Sequence, residues 1–473
     1  MPLPYRWRMA LAQSYRPDVN ILELGEGFHD AVEPARFPQC VPRFLNRRAA
    51  ETVGLDKLAE EEWAAHFCRF EPLPDNLKEP LALRYHGHQF RVYNPDIGDG
   101  RGFLFAQLRD VQGRLLDLGT KGSGQTPYSR SADGRLTLKG GVREVLATEM
   151  LQALGVDTSK SFALFETGEQ LVRGDEPSPT RSSVLTRLSH GNIRIGSFQR
   201  QAFFKDADAI ARLARYCVEH LYGEPPDADD SENALRLFDL VSRRTAELAA
   251  SYMAAGFVHG VLNSDNINIT GESFDYGPWR FTPFWDGQFT AAYFDHFGLY
   301  SFARQPEAIN WDLAQLGGCL SLVAQAAPLS DILTGWGQRF EAALVAKLLW
   351  RLGIEARDQA ADHELARTLV DALDLKTSTI DRFFFDWRGG RDPGLETYPS
   401  EPFRKLAALL AGRELPPVHD YWSNGEPCSM HIEEVEAIWD GIAERDDWQP
   451  FEAKVAAVRR LGEAMQEREP AAT

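Results

Sequence analysis

Cysteine is scarce in this sequence. The 473 residues include only 5 cysteines, at positions 40, 68, 217, 319 and 428, and no two of them form a C-x-x-C pair. An odd number at such wide spacing is typical neither of a disulfide framework nor of a zinc site. We therefore expect a reducing compartment, with a single regulatory disulfide as the alternative that the sequence leaves open.

Long apolar runs and net positive charge are also missing. No stretch approaches the roughly 18 apolar residues of a transmembrane helix, so we predict no membrane partner. The formal net charge of −18 argues against nucleic acid as a main partner, although local cations can still bind a nucleotide. The chain begins with arginines ahead of its first acid, Asp18, but has no secretory apolar core. This favours a cytoplasmic protein and leaves a mitochondrial one as the alternative.

The patterns that are present change character along the chain. Residues 98–118 predict a β-hairpin, "VREVLATEMLQALG" predicts a helix that stops at Gly155, and residues 161–188 predict a second pair of strands. From about Lys205 the periodicity becomes helical, with a loop at 223–232 and short strands around "INITG" and "WRFTPF" before helices return. A strand-rich first half and a helix-rich second half predict a bilobal α+β protein.

The stretch "HGVLNSDN", residues 259–266, is followed nine positions later by "DYG". Helix, loop and strand in this order are typical of a kinase catalytic loop and its metal-binding D-F-G. The position of the usual catalytic aspartate holds Val261, which cannot accept a proton. Asp265 is the only carboxylate in the loop and is therefore the candidate base, with Asn266 and Asp275 as candidate ligands for Mg²⁺ or Mn²⁺. The alternative is an Asn/Asp-rich turn without catalytic function.

Other residues could supply the cations and the phosphate-binding backbone that such a site needs. "GDGRG" offers Gly98, Gly100 and Arg101, although a plain hairpin turn is commoner. Lys121, at the end of a predicted strand, and Glu144, on the following helix, have the spacing of a phosphate-positioning ion pair, and each could equally be solvated surface. Arg187 and Arg194 in "TRLSHGNIRIG" could converge on phosphate or form surface salt bridges. His86 and His88 in "YHGHQF" indicate a structural loop rather than a metal site.

Taken together, the strings "YHGHQF", "GDGRG", "KGSGQTPYSRSADGR", "REVLATEM", "TRLSHGNIRIGSF", "HGVLNSDN" and "DYGP" resemble the selenoprotein O (SelO/YdiU) family of pseudokinases. The resemblance runs from about residue 81 to 320, and the C-terminal third matches poorly. It implies a protein-kinase-like bilobal fold with a strand-rich N-lobe, a helical C-lobe and extra C-terminal helices. The domains we expect are a 1–80 extension, an 81–204 N-lobe, a 205–330 C-lobe and a 331–473 helical region.

The family resemblance also implies a chemistry. Members bind ATP in reversed orientation and transfer AMP to a protein hydroxyl, releasing pyrophosphate. By motif, Asp265 then matches the proton acceptor, and Asn266 and Asp275 match the metal ligands for Mg²⁺ or Mn²⁺. The nucleotide-binding set implied by the resemblance is Gly98, Gly100, Arg101, Lys121, Asp133, Gly134, Glu144, Arg187, Arg194 and Asp275.

Three other functions remain open from the sequence. UTP could replace ATP, so that UMP is transferred. An ordinary kinase could use Asp265 for γ-phosphoryl transfer. A silent ATP-binding scaffold has Val261 as its best support, whereas the retained pair Asn266 and Asp275 argues against it. In every version ATP or a similar nucleotide is a ligand, and in the first two a protein is the acceptor.

Overall fold

The strands and helices segregate along the chain. The structure is a computed structural model that describes residues 14–174, 176–394, 396–423 and 425–466, so the first thirteen residues of the leader prediction lie outside it. The strands are β1 (His29–Ala31), β2 (Val41–Leu45), β3 (Leu81–Leu83), β4 (Gly87–Gln89), β5 (Val92–Asn94), β6 (Leu104–Arg109), β7 (Leu115–Lys121), β8 (Leu136–Thr137), β9 (Lys160–Leu171), β10 (Thr180–Ser189), β11 (Phe257–Val258) and β12 (Arg280–Phe281).

The helices dominate the second half of the chain. They are α1 (Arg47–Thr52), α2 (Glu60–Phe67), α3 (Leu138–Ala153), α4 (Ile195–Phe203), α5 (Ala207–Tyr216), α6 (Asp230–Ala255), α7 (Gln305–Leu320), α8 (Ala326–Thr334), α9 (Trp336–Leu352), α10 (Gln359–Asp374), α11 (Ile380–Asp386), α12 (Glu401–Leu410), α13 (Ile432–Arg445) and α14 (Gln449–Gln466). A strand-rich N-terminal part and a mostly helical C-terminal part confirm the α+β class.

One antiparallel sheet forms the frame of the N-terminal part. Its strand order is β1-β3-β6-β7-β10-β9-β2, with β8 paired to β10. Alternate residues of these strands point to opposite faces. On one face, Phe105 and Phe165 join a core with Trp63 and Phe67 of α2, while Leu164 on the other face joins the core that includes α3. Every residue of the central strand β7 is buried, so its last residue, Lys121, is held in a fixed position.

Helix α3 begins and ends where local chemistry predicts. The Thr137 side chain accepts a hydrogen bond of 3.1 Å from the Gly140 N–H, which caps the helix. At the other end Gly155 has a φ of +74°, a left-handed conformation that terminates helices and favours glycine. The predicted hairpin (β6 and β7), the second strand pair (β9 and β10) and the helix stop are thus all confirmed.

Two expectations need correction. "INITG" is not a strand: Asn268 makes only an isolated bridge with Arg194, because the segment runs into a turn at Ile269–Thr270. Cys40 and Cys68, which the sequence led us to regard as free, form a disulfide, since the fold brings their Cα atoms to 6.0 Å. This is the single disulfide that the sequence left open; the remaining three cysteines are free.

The C-terminal helices pack back onto earlier elements. Helix α9 lies along α6, and α10, α11 and α12 share a second core with it, around Leu369, Phe383 and Leu406. Helix α14 lies on α3, where Gly462 approaches Ala153 and Arg459 pairs with Glu149 at 2.7 Å. Among the described helices, none combines the length and the apolar character needed to cross a membrane.

Candidate active site

A group of buried charges joins the sheet, helix α3 and the DYG segment. Lys121 at the end of β7 forms ion pairs with Glu144 of α3 and, at 2.7 Å, with Asp275. Arg187 of β10 lies 3.4 Å from the same Asp275 oxygen and 4.0 Å from Glu144. Burial raises the pKa of Asp275, but Lys121, Arg187 and Arg101 outweigh it and hold that pKa well below its ordinary value. Four of the residues singled out from the sequence therefore meet.

A second group surrounds Arg194. Its guanidinium lies over the rings of Tyr85 and Phe274, at 4.2 and 4.9 Å from their centres, and pairs with Asp99 at 3.4 Å. It also donates a hydrogen bond of 3.2 Å to the backbone carbonyl of Asp265. Because Phe274 directly precedes Asp275, the two groups of charges adjoin.

The loop 259–266 brings Asp265 to this junction. Residues Ser264–Asn266 form a short 3₁₀ turn, and the Asn266 side-chain amide donates to the Val261 carbonyl at 3.0 Å. Val261 therefore stabilises the loop through its backbone carbonyl, which accepts this hydrogen bond. Asp265 is 8% exposed and its Oδ1 has no hydrogen-bond partner in the described part of the chain. Burial raises its pKa to about 6, against the opposing effect of Arg194.

Sequence reasoning missed the residues that position this loop. Strand β4 lies against it: the His88 N–H donates to the Ser264 hydroxyl at 2.7 Å, and the Phe90 N–H donates to the Asn263 side chain at 3.0 Å. Gly87 contacts Asp265 so closely that a Cβ there would lie 2.9 Å from Oδ1. The glycine of "YHGHQF" was the sequence feature that could have indicated this close contact, but our interpretation of the motif rested on its histidines alone.

The histidines of that motif do have structural partners. His86 Nδ1 contacts the Tyr93 hydroxyl at 2.8 Å, and His88 Nδ1 contacts the Gln199 amide at 2.6 Å. The Gln199 side-chain oxygen in turn accepts a hydrogen bond of 2.6 Å from Ser264. The motif therefore connects β4 and β5 to the loop 259–266 and to α4.

The remaining candidates lie in two glycine-rich segments, one before β6 and one after β7. Gly98 packs against the Tyr128 ring, the Gly100 carbonyl accepts from Ser129, and the Arg101 carbonyl accepts from the Gly122 N–H at 2.6 Å. A Cβ on Gly98 would lie 2.5 Å from that ring, so only glycine allows this approach.

Asp133 and Gly134 lie in the second glycine-rich segment. Asp133 pairs with Arg173 at 2.8 Å, and the Gly134 carbonyl accepts from the Gly124 N–H at 3.2 Å. Within the described residues no hydrogen bond or ion pair joins Asp133 to Lys121, Glu144 or Arg187.

Comparison with known proteins gives this geometry a family. The sequence model described as "Protein adenylyltransferase SelO" matches residues 10–407. The chain belongs to the SelO family. It is 43% identical over 474 residues to the "Protein nucleotidyltransferase YdiU" of Synechococcus elongatus, covering 93% of this chain and 94% of the relative. The YdiU of Gloeobacter violaceus is 43% identical, covering 92% and 93%, and that of Trichodesmium erythraeum is 40% identical, covering 93% and 97%.

The extent of the SelO match corrects one expectation. We placed the resemblance at about residues 81–320 and regarded the C-terminal third as a poor match. The family match begins at residue 10 and extends to 407, and the relatives align over more than nine tenths of the chain. As a member of the SelO family, the chain is a protein nucleotidyltransferase.

The donor set of the SelO site fits a hard divalent cation. Among the described residues no cluster of three or more His, Cys, Asp or Glu forms a metal cage. Mg²⁺ in nucleotide enzymes needs only one or two protein oxygens, because phosphates and water complete its shell. The Asn266 side-chain nitrogen donates to the Val261 carbonyl, so the side-chain oxygen is the atom that could coordinate the ion. Lys121 and Arg187 keep the Asp275 carboxylate ionised. Asn266 and Asp275 can therefore hold the ion.

Proposed function

We propose that this enzyme transfers AMP from ATP to serine, threonine or tyrosine hydroxyls of other proteins and releases pyrophosphate. The observation that carries the proposal is the separation of roles at the site. Three buried cations, Lys121, Arg187 and Arg194, lie at the site in ion pairs that a polyphosphate could share. Asp265, whose backbone carbonyl accepts from Arg194, keeps one carboxylate oxygen without a hydrogen-bond partner among the described residues. We further propose a protein-kinase-like bilobal fold, with lobes and flanking regions bounded as the sequence predicts.

The proposed reaction uses each group once. The acceptor hydroxyl passes its proton to the Asp265 carboxylate as its oxygen forms a bond to the α-phosphorus of ATP. The bond between the α-phosphorus and the oxygen that joins it to the β-phosphorus breaks, and pyrophosphate leaves with the electron pair. A cation held by Asn266 and Asp275 would neutralise phosphate charge when bound. Lys121 and Arg187, fixed by Glu144, orient the phosphates.

The nucleotide is proposed to lie reversed, with its α-phosphate nearest the catalytic loop. Two features support this. The usual kinase base position holds Val261, whose backbone carbonyl is used to fix Asn266. The only carboxylate of the loop, Asp265, is held by Arg194 through its own carbonyl, next to the family's "GDGRG" loop, whose Asp99 pairs with the same arginine.

Labelled ATP tests the proposal. The protein is incubated with a mixture of bacterial proteins, Mg²⁺ or Mn²⁺, and ATP labelled at either the α- or the γ-phosphate. We expect covalent label only from the α-position. Label from the γ-position means a kinase, no label from either means a scaffold, and label from α-labelled UTP in preference to ATP means uridylyl transfer.

An isosteric variant tests the base. Asp265→Asn should reduce transfer by about 100-fold or more, the usual contribution of a general base, while ATP binding persists. Asp371→Asn, which removes an exposed carboxylate from α10, is the matched control and should leave transfer unchanged. Transfer at the normal rate in Asp265→Asn would assign the proton to another group.

A further inference from the structure

Three large aromatic side chains stand exposed on the segment that follows the DYG motif. Tyr293 is 80% exposed, Phe294 41% and Phe297 93%. Single exposed apolar residues are ordinary on protein surfaces, whereas clustered ones often belong to interaction sites. The Tyr293 and Phe294 rings pack with centres 5.1 Å apart, and Phe297 follows three residues later. We call these three residues the aromatic platform.

The backbone that carries the platform is ordered. The carboxylate of Asp295 accepts hydrogen bonds of 2.8 Å from the N–H groups of Leu299 and Tyr300. The Gly298 N–H closes a turn on the Asp295 carbonyl at 3.2 Å, and the Phe302 N–H donates across the base of the loop to the Phe289 carbonyl at 2.9 Å. The rings are therefore presented by a fixed loop, which lowers the entropy lost when a partner binds.

The platform is connected to the catalytic loop by direct contacts. Phe294 packs against Phe90 with ring centres 5.8 Å apart, and Phe90 packs against Tyr300 at 5.0 Å. Both Phe90, through its N–H, and Tyr300, through its hydroxyl, donate to the side-chain oxygen of Asn263, at 3.0 and 2.8 Å. Asn263 lies two residues before Asp265, so Phe294 links the platform to the loop that carries the proposed base.

The size of the platform decides between a stable partner and a transient one. Fully exposed Tyr and Phe side chains offer roughly 200 Å² each, so the exposed fractions amount to about 400 Å². A stable dimer buries about 800 Å² or more on each partner. A surface of half that size suits a short extended segment that binds, reacts and leaves.

The charged groups near the platform are already engaged in contacts within the protein. The Asp295 carboxylate is buried and accepts from two backbone N–H groups. Arg91 and Arg304 share the Glu307 carboxylate, at 2.8 and 3.2 Å. We therefore expect recognition at this face to rest mainly on apolar contact.

We propose that the aromatic platform binds the acceptor polypeptide, through an apolar side chain close in sequence to the hydroxyl that is modified. This inference rests on the proposed function and adds the substrate preference of that same site. The partner is a target-protein segment with Leu, Ile, Met or Phe within about four residues of its Ser, Thr or Tyr, because four extended residues span roughly 13 Å.

A degenerate peptide library tests the proposal. Peptides with a fixed central Ser, Thr or Tyr and randomised flanks are incubated with ATP and Mg²⁺, and the AMP-modified products are sequenced by mass spectrometry. We expect the wild-type products to be enriched in large apolar residues at one flanking position. A synthetic peptide with the preferred residue should have a kcat/KM at least tenfold higher than its serine-substituted counterpart.

Variants of the platform complete the test. The double variant Tyr293→Ser/Phe297→Ser alters exposed side chains only and should lose the tenfold preference, mainly through KM. Val111→Ser, 62% exposed on the β6–β7 turn, is the matched control and should retain it. No apolar preference in the wild type, or the same preference in the double variant, overturns the proposal.

Two further outcomes distinguish this proposal from a dimer interface and from failure of the proposed function. A wild-type dimer in sedimentation that dissociates in the double variant would assign the platform to a second copy of the chain. Absence of AMP on every peptide and every protein would reject the proposed function itself, whereas AMP transfer without flanking preference rejects only the platform.

Discussion

Asp265→Asn should stabilise the protein while inactivating it. The carboxylate is buried and one of its oxygens lacks a partner, which raises its pKa from 3.8 to about 6. A pKa that is higher in the folded state means that the native protein favours the protonated form, so its stability falls as pH rises from about 4 to about 6. Above that range ionised Asp265 costs about 3 kcal/mol, because each tenfold change in proton affinity corresponds to about 1.4 kcal/mol. Asparagine, which has the same shape and no charge, removes this cost.

The assay is denaturant unfolding of both proteins without nucleotide or metal, at about pH 7.5 and about pH 5. We expect Asp265→Asn to unfold with a free energy higher by up to about 3 kcal/mol at the upper pH and by about half of that at the lower, where the native carboxyl is mostly protonated. Equal stability at pH 7.5, or a difference that does not shrink on acidification, would refute the view of Asp265 as a buried, desolvated base. Transfer activity of the wild type should rise with pH through about 6, since only the ionised form accepts a proton.

Three other substitutions test the site. Gly87→Ala places a Cβ 2.9 Å from the Asp265 carboxylate and should lower kcat at least tenfold with little change in melting temperature, because the displaced atom is a side chain. Lys121→Met leaves the fully buried Glu144 with only the more distant Arg187, 4.0 Å away, and should cost about 3 kcal/mol of stability as well as ATP affinity. Asn266→Ala should raise the Mg²⁺ concentration for half-maximal transfer at least tenfold, measured by titration.

Matched variants make these results interpretable. Gly337→Ala adds the same methyl group on α9, where nothing lies within 4 Å, and should leave kcat unchanged. The double variant Lys121→Met/Glu144→Leu should recover most of the lost stability but none of the ATP affinity, since it removes the stranded charge and the cation together. Full activity of Gly87→Ala, or an unchanged metal requirement in Asn266→Ala, would contradict the assigned contacts.

The parts of this protein that follow local rules could be predicted from its sequence. Two apolar stretches separated by a polar turn predicted β6 and β7, and Gly155 predicted the end of α3, because each depends on near neighbours. The meeting of Lys121 with Glu144 followed from a 23-residue spacing only because kinase-like catalytic sites use such a pair. The prediction of "INITG" as a strand failed because its backbone found no partner strand beyond a single bridge.

What the sequence could not show depends on contacts between distant segments. Gly87 contacts Asp265, and Asp99 pairs with Arg194, although the residues of each pair are far apart in the sequence. Helical or strand periodicity cannot predict contacts at such separations. Cys40 and Cys68 become neighbours only once β9 and α2 are in place around them. The exposure of Tyr293 and Phe297 was likewise hidden, since an aromatic-rich stretch is more often core.

The pairing of α14 with α3 has a consequence for biosynthesis. Glu149 and Arg459 are 310 positions apart, yet they form a two-pronged salt bridge on the helix that also carries Glu144. During synthesis, the side of α3 that faces α14 stays exposed to water until residues 449–466 have left the ribosome. The helix that places Glu144 against Lys121 therefore acquires its full packing only after those residues are available.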